Sequence, residues 1–112
     1  MRHEIILAPE ADADLQALKA NVRAAVRVAI EQYLRHEPTK VSKSRIKRLR
    51  GLSRPQYRLR VDDVRVFYDV IESTVEILAI VVKSEAEKWL VQEGKPKADE
   101  GETDEESSSV RG

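Results

Sequence analysis

An α+β fold is what this 112-residue sequence predicts: an antiparallel sheet of about four strands on an N-terminal helical hairpin, then a short C-terminal helix. Three observations carry it. Apolar residues recur at helical spacing up to Pro38, the period changes to two after Arg45, and a capping signature with an apolar stripe follows Lys83.

Residues 3–7 are a short strand candidate, and Pro9 suits the first position of a helix with Asp12 and Asp14 near its positive end. Leu15, Leu18 and Val22 fall at helical spacing, as do Val22, Val26, Ala29, Ile30 and Tyr33, and Asn21 is placed to cap the second segment. Pro38 ends the pattern, so a helical hairpin over residues 9–36 is expected, its apolar stripe facing a sheet. Tyr57, Leu59 and Val61 alternate with Arg58 and Arg60, and Val64, Val66, Tyr68 and Val70 alternate with Arg65, Phe67 and Asp69. Asp62-Asp63 reads as the turn between them. Residues 75–83 form a third, more apolar strand expected in the middle of the sheet. Ser84-Glu85-Ala86-Glu87 reads as a capping box, Ala86, Trp89 and Leu90 as the stripe of the last helix, and Gly94 as its end.

Lys and Arg balance Asp and Glu at 20 each, and there is no cysteine. A disulfide framework, a zinc-thiolate site and a catalytic thiol are thereby excluded, which points to a reducing, cytoplasmic setting. The longest apolar run, residues 77–82, is too short to cross a bilayer, and the opening residues lack an apolar leader, so no membrane partner is expected. Residues 94–112 carry six acids against three bases and have only Ala98 and Val110 as apolar side chains. Such a stretch cannot offset the entropy of ordering, so a folded domain over 1–93 and a disordered acidic tail over 94–112 are expected. The tail takes a net charge of −3 and leaves +3 on residues 1–93. Within that body, residues 38–61 hold nine cations and no acid. A chain this size buries a modest core, roughly 60 to 65% of its unfolded surface, so a site belongs on the surface and not in an internal cavity.

A two-residue loop at Asp62-Asp63 sets Arg60 opposite Arg65 and Arg58 opposite Phe67, and so puts three arginines on one face. Like charges placed opposite each other cost stability. Two explanations stand side by side: a site for a polyanion, whose phosphates suit the guanidinium fork, or a solvated outer face. The acid-free block upstream favours the first. His3 and His36 lack metal-ligand spacing, Ser84 has no histidine to act as its base, and Trp89 fits docking on the core better than stacking on a base. Neither a metal nor a cofactor is expected.

The runs Lys47-Arg48-Leu49-Arg50-Gly51-Leu52, Tyr57-Arg58-Leu59-Arg60-Val61 and Val64-Arg65-Val66-Phe67-Tyr68-Asp69-Val70, after the opening Ala8-Pro9-Glu10-Ala11, resemble the RelE/ParE toxins of bacterial type II toxin-antitoxin modules. The resemblance spans residues 3–93. It implies the same architecture, a cognate antitoxin protein as partner, and one of two activities. RelE-like members are endoribonucleases, mRNA interferases that cleave mRNA in the ribosomal A site with basic residues of the sheet. ParE-like members inhibit DNA gyrase. Arg58 and Arg60 match the basic positions of the strand after the Leu-Arg-Gly turn, and Arg65 matches the arginine of the next strand. These three, with Lys83 in a supporting place, are the implied catalytic group, and Lys43, Arg45, Lys47, Arg48 and Arg50 the implied RNA contacts. The ribonuclease pattern then has an arginine just after the last strand and a tyrosine in the C-terminal segment, where this chain has Lys83-Ser84 and Trp89-Leu90. Tryptophan cannot act as a general base, so phosphate binding survives this departure better than cleavage does. The resulting expectation is a toxin that inhibits translation by binding, with or without cleaving, ribosome-bound mRNA. The alternatives are a gyrase inhibitor and a catalytically degenerate member that binds only RNA or its antitoxin.

Overall fold

The computed structural model describes residues 1–97 of the chain. Strand β1 (Glu4–Leu7) leads into helices α1 (Pro9–Ala17) and α2 (Ala20–Ala29), and α2 runs on into a π-helical turn over Ile30–Leu34. Strands β2 (Ile46–Arg48), β3 (Leu52–Arg54), β4 (Tyr57–Val61), β5 (Val64–Ile71) and β6 (Thr74–Val82) follow, then helix α3 (Lys83–Glu93) and a short strand β7 (Lys95–Pro96). The main sheet has five strands in the order β1-β6-β5-β4-β2, while β3 and β7 pair separately. All pairings are antiparallel except that of β1 with β6, which is parallel. The α+β fold of the sequence reading holds, with a fifth strand and a mixed sheet added.

Pro9 starts α1 as expected, and Glu10 and Asp12 occupy its first turn. Asp14 does something else. It reaches β6, where its Oδ2 accepts the Ile80 N–H at 3.0 Å. Strand β1 covers β6 only from Thr74 to Ile77, so beyond that point the carboxylate supplies an acceptor the sheet does not. The second helix begins at Ala20, with Lys19 and not Asn21 at its cap and no side-chain cap bond. The joint is closed instead by Arg23, whose Nη1 donates to the Gln16 and Leu18 carbonyls at the end of α1. The hairpin stripe Ala11, Leu15, Val26, Ala29, Ile30 and Leu34 packs on Ile46, Leu59, Val66, Tyr68, Val75 and Ile77, which makes the main core.

The other sheet face carries a smaller core of Leu49, Phe67 and Ala79, covered by Leu52, Ala86, Trp89 and Leu90. The Trp89 ring lies almost parallel to Phe67, centroids 4.9 Å apart, so it docks on the core as expected. Helix α3 starts one residue before the expected capping box. Val82 is its N-cap, no side-chain cap bond forms, and Ser84 lies within the first turn. Gly94 does end the helix, and glycine is required there because a Cβ would fall 2.5 Å from the Leu90 carbonyl oxygen. The expected tail begins inside ordered structure: β7 pairs with β3, Ser53 Oγ donates to the Lys95 carbonyl at 3.3 Å, and Lys97 N–H bonds Gly51 O at 3.1 Å. The unpaired backbone of β3 explains this, since it offers partners that composition does not reveal. The rest of the predicted tail, residues 98–112, lies outside the described residues. Among the described residues, no helix is long and apolar enough to cross a membrane.

Candidate functional site

The hairpin of β4 and β5 builds the site. Asp62 takes φ 52°, a left-handed conformation that Asp tolerates better than most residues, and so lets the chain reverse in two residues. That reversal fixes the register Val61 with Val64, Arg60 with Arg65, Leu59 with Val66 and Arg58 with Phe67, as the sequence predicts. One strand further out Lys47 stands opposite Arg58, and on the inner side Val81 stands opposite Arg65. Arg58, Arg60, Arg65 and Lys47 therefore share the face that α3 partly covers, away from the helical hairpin.

The three arginines differ in burial. Arg65 is only 7% exposed, Arg58 is half-buried and Arg60 is open to solvent. Arg65 anchors itself by donating from Nη1 to the Asp62 and Val64 carbonyls at 2.7 and 3.1 Å. Arg58 Nε is buried and has no hydrogen-bond partner among the described residues. Burial, then the charges of Arg65 and Arg60, hold the Arg58 guanidinium below its usual pKa. Burial first, then Arg60, does the same to Arg65, and Asp63 works against it. Elsewhere arginines find carboxylates: Arg35 pairs with Glu31, and Arg54 with Asp69 and Glu76. None of the salt bridges among the described residues includes Arg58, Arg60 or Arg65. Three cations converge with no carboxylate in salt-bridge contact among the described residues, two of them partly desolvated, and such an arrangement gains from an oxyanion able to accept several N–H bonds at once.

Apart from Lys47, the other sequence-predicted residues lie around this cluster, not in it. Lys83 opens α3, exposed at the hairpin end of the sheet, where its backbone N–H donates to Asp63 O at 2.7 Å. Lys43 and Arg50 are exposed in loops beside β2. Arg45 and Arg48 point to the opposite face, where each guanidinium lies over a tyrosine ring, Arg45 on Tyr33 at 5.3 Å and Arg48 on Tyr57 at 5.1 Å. Lys47 joins the arginines by its register with Arg58, a pairing that a strand of three residues does not announce in the sequence.

All three tyrosines of the chain sit on the helical-hairpin side of the sheet. Tyr68 is fully buried, donates to Pro38 O at 2.6 Å and stacks on Tyr57, and burial pushes its phenol far above the ordinary range. The two histidines are equally remote, His3 at the start of β1 and His36 after the π-helical turn. The arginine face thus presents cations without a tyrosine or histidine beside them.

Comparison with known proteins adds a family. Residues 5–87 match the family model for the ParE toxin of the type II toxin-antitoxin system parDE. The chain belongs to the ParE toxin family. It is therefore a toxin of a type II toxin-antitoxin module, and the match takes in β1 through the first half of α3, including the arginine face. Solved structures agree on the fold of this ParE-family chain. The archaeal RelE-RelB complex from Pyrococcus horikoshii OT3 is similar with TM-score 0.60 and 23% identity, over 74% of this chain and 97% of that one. The toxin-antitoxin complex RelBE2 from Mycobacterium tuberculosis is similar with TM-score 0.55 and 26% identity, over 73% and 99%. The YoeB dimer from Staphylococcus aureus gives TM-score 0.55 and 17% identity, over 72% and 97%. No curated protein gives a significant match.

Proposed function

We propose that this toxin inhibits translation by holding the backbone of ribosome-bound mRNA on the face formed by Arg58, Arg60 and Arg65. The observation that carries the reading is the convergence of three arginines that, among the described residues, no carboxylate salt-bridges, one with a buried Nε left without a hydrogen-bond partner there. RNA supplies what that face lacks, a row of phosphates each able to accept several N–H bonds. Lys47 extends the row outward, and Lys83 at the hairpin end and the exposed Lys43 and Arg50 add longer-range attraction. Similarity to the RelBE2 complex supports a RelE-like mode of action. Cleavage through the 2′-hydroxyl needs a group to take its proton, and with every tyrosine and histidine away from the face that step is left to a lysine, Lys47 or Lys83. Binding is accordingly the activity assigned, with Arg58, Arg60, Arg65 and Lys83 as phosphate contacts.

A cognate antitoxin completes the reading. The M. tuberculosis structure is a toxin-antitoxin complex, and we place a small partner protein on the hairpin and sheet of this chain as well. Co-expression with the adjacent open reading frame tests it: co-purification and relief of growth arrest are expected, and failure of both rejects that pair.

A second reading, inhibition of DNA gyrase, is favoured by the family model itself and by the want of a tyrosine or histidine on the face. Cell-free translation and gyrase supercoiling assays with the wild type and Arg65→Gln separate the two. The proposal expects translation to stop, supercoiling to continue and the variant to lose its effect. Blocked supercoiling with normal translation would reverse the assignment.

A further inference from the structure

The edge of the sheet carries a second feature that the arginine face does not use. Gln32, Tyr33, His36, Lys40, Ser42 and Arg45 line a cleft of about 300 Å³ between the π-helical turn, the loop after it and β2. Half-buried Tyr33 lines it, with the Arg45 guanidinium over the ring at 5.3 Å from its centroid. Ser42 Oγ accepts the Arg45 and Ile46 N–H groups at 3.1 and 3.3 Å, which leaves its own proton free to donate. Gln32 brings an exposed amide with both donor and acceptor. Glu37, the one carboxylate lining the cleft, is engaged with Lys40 at 3.6 Å. Flat stacking surface, neutral hydrogen-bonding groups and surrounding cations together suit an unstacked nucleobase joined to a phosphate. At the small end of ligand-site volumes, the cleft has room for one base and its sugar.

Its position links it to the arginines. Arg45 and Arg60 are bonded backbone to backbone, Arg60 N–H to Arg45 O at 2.9 Å, and Arg45 Nη1 donates to Arg60 O at 3.3 Å. The Arg60 side chain lies on one face of this edge and the cleft on the other. Among the described residues strand β2 has no neighbour on its outer side, so no described strand separates the two. Arg48 over Tyr57 makes a second stacked pair further along the same strand.

We propose that the Tyr33–Arg45 cleft binds one unpaired base of the RNA strand whose phosphates lie on Arg58, Arg60 and Arg65, the strand passing over the β2 edge. The inference rests on the RNA reading above. It is tested with the full chain by fluorescence anisotropy, using a short labelled single-stranded RNA and the same strand made of abasic ribose. Tyr33→Leu should weaken binding of the normal strand roughly 5- to 150-fold, the loss that one stacking platform carries, and leave the abasic strand and the salt dependence unchanged. Tyr33→Phe should restore wild-type affinity, while Arg60→Gln should weaken both strands. Tyr33→Leu binding like wild type, or losing both strands equally, overturns the base site. In either case the RNA reading stands as long as Arg60→Gln still weakens binding. A wild type that binds neither strand overturns both.

Discussion

Replacing Arg60 by Gln should make the protein more stable, an unusual result for removal of a side chain from a functional face. Arg60 stands opposite Arg65 in the hairpin, with Arg58 on the same face, and no carboxylate pairs with any of them among the described residues. Directly opposed like charges cost about 0.2–1 kcal/mol, and because Arg60 is exposed, solvent screening keeps its share inside that range. The substitution relieves two repulsions, on Arg65 and on Arg58, so a gain of about 0.5–1 kcal/mol at low ionic strength is expected. For a domain of this size that is a rise in Tm of roughly 2–8 °C. Thermal unfolding followed by circular dichroism at low salt and at about 1 M NaCl is the assay. The gain should vanish at high salt, where the Debye length is about 3 Å. Added phosphate should raise the Tm of the wild type more than that of the variant, since only the former keeps the full set of donors. A variant less stable than wild type at low salt, or equally stabilised at both salts, would refute the claim that these arginines are held together against their own repulsion.

Three further outcomes follow from contacts elsewhere. Asp14→Ala strips the buried Ile80 N–H of its acceptor and should cost about 1–3 kcal/mol in urea unfolding, whereas Asp14→Asn, which keeps an acceptor, should stay closer to wild type. Trp89→Ala uncovers Phe67 and should cost about 2–3 kcal/mol, below the figure for a fully buried aromatic because Trp89 is half-buried. Asp69 is buried, and burial holds its carboxyl above the usual range against the Gln56 N–H bond and the Arg54 charge. The native state therefore keeps this proton where the unfolded chain has released it. The resulting stabilisation is present at acid pH and is lost as pH rises through the ordinary carboxylate range and past the native pKa. Asp69→Asn should remove that segment from the stability–pH curve, and an unchanged curve would contradict the assignment.

What the sequence disclosed and what it hid follow one division. Strand alternation from Tyr57 to Val70 fixed which side chains share a face, because a two-residue turn leaves a single register, and the arginine cluster followed from that alone. The helical stripe and the docking of Trp89 were legible for the same reason, each being a local period set against a core. Hidden were the features that depend on distant partners. The parallel pairing of β1 with β6 joins residues about seventy positions apart. Strands β2, β3 and β7 are two or three residues long, too short for any period to show. Asn21 and Ser84 look like caps in isolation, but Arg23 closes one helix joint and the Asp63 carbonyl meets the start of α3 at the other. Sequence also cannot grade exposure within a face, so it gave three equal arginines where one is buried, one half-buried and one open.

The salt dependence of RNA affinity tests the central claim most directly. Binding of a single-stranded RNA is measured across a range of NaCl concentrations for the wild type and for the variant with Arg58, Arg60 and Arg65 all changed to Gln. If each arginine neutralises one phosphate, the slope of log affinity against log salt should fall in magnitude by about 0.7 per arginine, roughly 2 in all, with a large loss of affinity at low salt. The same slope and affinity in both proteins would show that the arginines are only a solvated face, and the proposed site would be wrong.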